Sequence, residues 1–374
     1  TRGIKNCRWR TLLTDEVTFS ASRIINQITS AIPEESKTYL KDFGNKYSAE
    51  GIISILESLN KLKVLVIGDS ILDQYTYCQS MERSGKEPLI PYKFLRSDTH
   101  LGGIFSVVSH IANFTQNPSL VTCIGRETYE FIESNLDPKI ERNIFIQMNA
   151  KTITKQRFLD DYKKQKLFQV YNSDELKLSE ENEEKVLRFL QHNLQRFDLV
   201  VVSDFGHGMI SEPIKDYLNK CDKPIAVNCQ LNAGNLGYNF ITKYNRADFV
   251  SLSERELRLP FQEKIRDIEI PALKLRDHLN AEKIMVTLGR AGCMYYQDGK
   301  FYYSPSFTKE PLDTIGSGDA LFSLCSLLTH TNVEPEIVPF LGNCIGGLAT
   351  RIMGNERTVS LEDLKKSVNY IIKQ

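Results

Sequence analysis

The sequence predicts an α/β fold, with a central mostly parallel sheet flanked by helices and a small β-sheet lid, and three observations carry that prediction. Short apolar runs at 64–67, 199–202, 225–227 and 249–252 each end in a polar or glycine-bearing turn, as buried parallel strands do where their C-terminal ends face a ligand. Helical patterns separate these runs, as a sheet covered on both faces requires. Two further runs, 152–158 and 166–171, alternate apolar and polar residues around the polar turn 160–165, which reads as a hairpin standing apart from the sheet.

The chain has 374 residues, 41 % hydrophobic and 25 % charged, enough for one large core with extra material. Lys plus Arg and Asp plus Glu both number 47, so no overall basic character points to nucleic acid. No apolar run approaches the ~20 residues that span a bilayer, so no membrane partner is expected. The eight cysteines form no C-x-x-C pair and several sit in apolar runs, which predicts reduced core thiols and a cytoplasmic protein. The chain starts at Thr1, without a signal peptide, and reads as a processed chain or a piece of a longer one.

Residues 1–60 precede the first strong strand. Ser20 or Ser22 caps a helix predicted over 18–26, and 39–62 carries helical spacing, so the segment is expected as a helical linker. The main domain is placed at 61–374, with lid segments near 76–100 and 150–172. After the first strand, Asp73 sits just beyond a strand end, free to accept hydrogen bonds from two hydroxyls or to form an Asx turn. The prolines of 81–91 exclude a helix and favour an extended segment at a sheet edge. Gly102-Gly103 opens a helix. Ser179-Glu180-Glu181 starts another, with Val186, Phe189, Leu190 and Leu194 as its buried stripe. Asp204 ends the strand at 199–203, followed by the Gly206-His207-Gly208 loop. A strong Asp298-Gly299 turn joins strands at 293–297 and 300–304, and 335–353 and 360–372 are helical by pattern.

The chemistry concentrates at 311–320, Pro-Leu-Asp-Thr-Ile-Gly-Ser-Gly-Asp-Ala, which runs into the apolar segment 321–328. A Gly-Ser-Gly turn opening a helix offers unpaired amides and a partial positive charge, hence an anion site. Thr314, Gly316, Ser317 and Gly318 would cradle a phosphate. Asp319, at the mouth of the same helix, is a poor phosphate ligand but a good general base. Amides for developing negative charge and a base for an alcohol's proton together suit phosphoryl transfer to a hydroxyl.

This decapeptide resembles the Asp-Thr-x-Gly-Ala-Gly-Asp signature of the ribokinase-like carbohydrate kinases. Gly-Asp-x-x-Leu-Asp at 68–73, Gly-Gly at 102–103, Ser-Asp-x-Gly at 203–206, the Glu254 segment and Thr-Leu-Gly at 287–289 follow that family's order over 63–372. The stretch 81–91 is similar to that of the bifunctional heptose kinase/nucleotidylyltransferases, and 18–26 looks like the closing motif of the nucleotidylyltransferase domain, which would lie upstream. The resemblance implies a ribokinase-like fold and an ATP-dependent, Mg²⁺-requiring sugar kinase. Its acceptor would be a sugar or sugar phosphate, with heptose phosphate favoured. By the same resemblance Asp73, Gly102 and Gly103 meet the sugar, Arg83 and Lys86 a substrate phosphate, and Asp204 the sugar or a metal-bound water. Thr287 and Gly289 would lie along ATP, and Glu254 would orient the water shell of Mg²⁺. Lids in this family often pair, which implies a homodimer. Ser106, His207 and Ser251 stand where the pattern has Asn, Lys and Asn, and together they keep open a regulatory pseudokinase as the alternative.

Overall fold

The computed structural model describes residues 32–373 except 84, 86, 173–176, 263, 265 and 266. The helix expected at 18–26 and the cation Lys86 lie outside the described residues. A nine-stranded sheet runs in the order β13-β12-β11-β10-β9-β8-β1-β4-β5. Its strands are β1 (Val64–Gly68), β4 (Ser119–Gly125), β5 (Glu141–Gln147), β8 (Leu199–Asp204), β9 (Ile225–Cys229), β10 (Phe249–Ser253), β11 (Lys283–Thr287), β12 (Cys293–Gln297) and β13 (Lys300–Ser304). From β11 to β5 every pairing is parallel, and the β11–β12 and β12–β13 pairings are antiparallel, so β12 alone runs against the rest of the sheet. Asp298 (φ 51°) and Gly299 (φ 77°) both take the left-handed conformation, which a two-residue hairpin turn requires.

β1 is buried at every position because helices cover both faces of the sheet, which explains its unbroken aliphatic run. Its C-terminal end at Gly68 lies against Ser203 so closely that a Cβ would stand 2.0 Å from the Ser203 carbonyl oxygen. The helix Ser317–Thr329 packs on this sheet through Phe322, whose ring stacks on Phe249 of β10.

A separate four-stranded sheet forms the lid, in the order β3-β2-β6-β7, with β2 (Ser70–Ser80), β3 (Tyr92–Gly103), β6 (Ile153–Asp160) and β7 (Lys166–Asn172). The hairpin at 152–171 is thus present as β6 and β7. β2 differs from expectation. Asp73 is not in a turn after the first strand but inside an eleven-residue lid strand that begins two residues after β1 ends. Most of β2 is buried on both faces, so no alternation marked it as a strand. The described residues of 81–91 form an exposed connection from β2 to β3 rather than a sheet edge.

The segment read as a linker is, over 34–58, two helices, Glu34–Lys46 and Ala49–Ser58, docked on the main body. Leu40, Phe43, Ile52 and Leu56 join its core, and the Phe43 ring stacks on Phe340 at 4.1 Å.

Candidate active site

A cleft of about 330 Å³ opens between the lid and the C-terminal ends of the central strands. Thr314, Gly316, Gly318 and Asp319 line one side, Asp73, Gly103, Lys155 and Arg157 the lid side, and Asn228, Gln230, Ser251, Glu256 and Thr287 the far wall. Crevices of this kind, outside the carboxyl ends of parallel strands, are where open α/β sheets bind ligands.

The Ser317–Thr329 helix begins at Gly316, whose φ of 79° suits glycine. A Cβ there would lie 2.4 Å from Asn355 Oδ1, so the turn also needs glycine for space. Ser317 Oγ donates to the Thr314 carbonyl at 2.8 Å and braces the turn. The first bond from the helix back to residue 316 comes from Ala320, so the Gly318 and Asp319 amides precede the helical ladder and stand at the anion-attracting end. Asp319 is buried, and Oδ1 accepts a 2.7 Å bond from Gln230 Nε2. Burial pushes its carboxyl up to about 6. Asp73 and Glu256 add to the rise, while the Gln230 bond and the Lys155 charge oppose it. A carboxylate so tuned is a base near neutrality.

Asp73 faces Asp319 from β2. Its Oδ1 accepts from Arg157 at 2.5 Å and its Oδ2 from Asn355 Nδ2 at 2.7 Å. The Gly102 Cα passes so near that a Cβ would meet Asp73 Oδ2 at 2.1 Å, and Gly103 takes φ 56° with the Asp69 carbonyl 2.7 Å from its missing Cβ. Ser106, where the family pattern has an amide, donates to Asn355 Oδ1 at 3.2 Å. An amide does stand there, but it comes from Asn355, on the far side of the fold in sequence. Lys155 and Arg157 reach the cleft because alternate residues of β6 turn inward.

Asp204 does not line the cleft. Its carboxylate is sealed beneath the floor, bonded by Tyr244 Oη at 2.6 Å, Lys243 Nζ at 2.5 Å and the Gly206 amide at 2.9 Å. Beside it Asp69 accepts the amides of Phe205, His207 and Met209, which fixes the loop 205–209. Burial and Asp204 raise the Asp69 carboxyl, and those three donors oppose the rise. His207 is buried, and desolvation, with the Lys155 charge second, lowers its pKa to about 4, so the imidazole is neutral at pH 7.

Glu254 is exposed and bonded to Arg258 at 2.8 Å, away from the cleft. The carboxylate that turns inward is Glu256, held as the third residue of a capping box with Ser253 and accepting the Leu231 amide at 3.0 Å. The Ser-x-x-Glu spacing at 253–256 is the signal that marks it. Thr287 lines the wall, whereas Gly289 lies in the following turn, outside the lining residues. Arg83 is exposed on the β2–β3 connection and also outside the lining.

Among the described residues no three His, Cys, Asp or Glu side chains converge as a metal cage. A Mg²⁺ ion fits this wall only as one bound chiefly by nucleotide phosphates and water. Glu256 and the buried, unpaired Oδ1 of Asn228 are the oxygens available to its water shell.

A family model of the pfkB carbohydrate kinases matches residues 61–326. The bifunctional protein HldE of Desulfatibacillum aliphaticivorans is 23 % identical over 310 residues, covering 81 % of this chain and 62 % of the relative. HldE of Campylobacter jejuni subsp. doylei is 25 % identical over 318 residues, covering 82 % and 65 %. The chain therefore spans somewhat less than two thirds of these relatives' length. Among solved structures, Escherichia coli phosphofructokinase-2 superposes with a TM-score of 0.68 at 15 % identity, over 83 % of this chain and 99 % of that one. Thermotoga maritima ribokinase gives 0.62 at 17 %, over 84 % and 100 %. At such identities the likeness speaks for the fold, which is ribokinase-like.

Proposed function

The chain belongs to the pfkB family of carbohydrate kinases, and from that premise we propose that it transfers the γ-phosphoryl group of ATP to a hydroxyl of a heptose phosphate or a closely related sugar phosphate, with Asp319 as general base. The observation that carries this reading is the placement of Asp319. It is buried at the mouth of the Ser317–Thr329 helix, its Oδ1 is held by Gln230, and its carboxyl is raised to about 6.

The acceptor hydroxyl is taken to lie between Asp73 and Asp319, both of which line the cleft. Asp319 removes its proton through Oδ2, the oxygen that Gln230 leaves free. The Gly318 and Asp319 amides, at the start of the helix, stabilise the negative charge of the transferring group. Glu256 and Asn228 would hold the water shell of a Mg²⁺ ion bound with the nucleotide, which would supply charge neutralisation at the phosphates. Asp73 is oriented by Arg157 and Asn355 to accept sugar hydroxyls. The HldE relatives support heptose phosphate as the acceptor to try first. The same reading includes a homodimer through the lid, supported by exposed Phe94 and Phe168 on its strands.

The test is ADP release with Mg·ATP across sugars and sugar phosphates, heptose 7-phosphate included. Turnover on one acceptor class that falls at least ~10³-fold in Asp319→Asn is the expected result. Nucleotide binding without turnover on any acceptor would instead favour a regulatory protein.

A further inference from the structure

A second cavity, of about 540 Å³, adjoins the active-site cleft and exceeds it in volume. β3, the helix Ile104–Ile111, the helix Tyr129–Asn135 and residues 355–358 enclose it. Asn355 lines both spaces and forms the partition between them, whereas Ser106 faces the second cavity and not the cleft. The wall carries hydrogen-bonding groups that the fold leaves unused. The Ser109 hydroxyl and the His100 ring make no hydrogen bond among the described residues. Asn113 gives its Nδ2 to Thr358 Oγ1 at 2.8 Å and to the Val359 carbonyl at 3.0 Å, which leaves its Oδ1 without a donor. Phe131 and Leu136 put an apolar patch among these polar groups. Hydroxyl and amide partners set around an aromatic ring suit a sugar, whose O–H groups alternate with C–H faces. The charges on the wall do not suit an anion. Arg357 is paired with Asp363 at 3.0 Å, and Asp137 and Glu356 bring two carboxylates to the same wall.

We propose that this cavity is a second binding site, for an uncharged sugar or polyol, and that its occupant tightens acceptor binding through Ser106 and Asn355. The coupling, though not the site, rests on the kinase reading. The bonds across the partition all run in one direction. Ser106 Oγ donates to Asn355 Oδ1 at 3.2 Å, and Asn355 Nδ2 donates to Asp73 Oδ2 at 2.7 Å. A serine hydroxyl has one proton to give and two lone pairs, and no donor among the described residues reaches Ser106 Oγ. A ligand hydroxyl that donates there completes a relay from the cavity to Asp73, in which each bond polarises the next. Asn355 is hemmed in on the cleft side as well. A Cβ on Gly316 would lie 2.4 Å from its Oδ1, and one on Gly102 would lie 3.3 Å from its Nδ2. An amide held from both sides keeps Asp73 in the orientation that accepts hydroxyls. Occupancy of the cavity and acceptor affinity are thereby linked, and by reciprocity the acceptor tightens the polyol by the same factor.

The probes are mannitol and D-mannose, with gluconate as a charged counterpart. Titration calorimetry with heptose 7-phosphate saturating the cleft reads the second site, and ADP release reads the coupling. Wild type should bind mannitol or mannose at one additional site, more tightly than gluconate. The bound polyol should lower the KM for heptose 7-phosphate roughly 3- to 10-fold with kcat within about twofold. Ser109→Leu fills the cavity with an apolar side chain. It should leave KM and kcat without polyol unchanged, and lose both the binding and the response. Ser106→Ala should still bind polyol while the KM response disappears. Equal polyol binding in wild type and Ser109→Leu would overturn the proposal by placing the ligand elsewhere. Tighter binding of gluconate would overturn the ligand class, and a polyol that raises KM, or leaves it unchanged with the site filled, would overturn the coupling. Wild type without an additional site would overturn the proposal before any variant is made, so a Leu variant that fails to fold leaves the test intact. Should no acceptor give ADP, the kinase reading fails, and mannitol binding that Ser109→Leu abolishes still decides whether the cavity is a site.

Discussion

Asp319 acts as a base only while ionised, and four groups from four elements set when that is. Asp73 from the lid and Glu256 from the far wall hold the proton on, whereas Gln230 and Lys155 help to release it, against the dominant effect of burial. The acid limb of kcat/KM should therefore fall near pH 6. Gln230→Leu removes a donor to the charged form, so the limb should move up by roughly half to one unit. Gln230→Lys puts a cation in its place, and the limb should move down. A pH profile of the two variants checks both directions, and a limb that stays put in both would show that the amide does not tune the base. Asp319, Gly316 and Gly318 were legible in the sequence because their chemistry sits in one contiguous turn. Gln230, Asn355, Lys155 and Glu256 were not, because each is a common residue type brought to the cleft from a distant part of the chain. Glu254 drew attention by its spacing, yet its side chain faces Arg258 outside the cleft.

The lid meets the anion turn at one carboxylate. Asp313, six residues before the base, accepts from Lys166 Nζ of β7 at 2.6 Å, Tyr75 Oη of β2 at 3.2 Å, and the amides of Ile315 and Gly354 at 3.1 Å. Two strands of the lid are thereby tied to the loop that presents Gly316 and Asp319. Lys166 is 40 % exposed, so its ion pair contributes little to stability, on the order of 0–1 kcal/mol. Its effect should appear in lid closure instead. Lys166→Met is expected to raise the acceptor KM about two- to fivefold with an unchanged melting temperature. A lowered melting temperature with KM intact would make the contact merely structural. The lid hairpin was readable because β6 and β7 alternate with period two around a polar turn. β2 was not, since its burial on both faces removes the alternation that would mark a strand after the Gly68-Asp69 turn.

At the scale of the molecule, the parallel sheet and the order of its motifs were legible, while the place of residues 34–58 was not. Their helical spacing was clear, but nothing in a single amphipathic helix names its partner. Phe340 and the helix Leu361–Ile372, nearly three hundred residues on, supply that partner. This body must hold a carboxylate buried at the cleft. Because the Asp319 carboxyl is raised to about 6 from 3.8, its contribution to stability is complete below pH 4 and is lost as pH rises through 6. A neutral side chain escapes that loss. Asp319→Asn should gain about 1–3 kcal/mol relative to wild type at pH 7.5 and nothing at pH 4. The direct test is to measure ADP release and thermal unfolding of wild type and Asp319→Asn side by side, with Mg·ATP and heptose 7-phosphate. The account predicts at pH 7.5 a loss of turnover of at least ~10³-fold in a variant that melts no lower, and usually higher, than wild type. Turnover within tenfold of wild type would contradict Asp319 as the base.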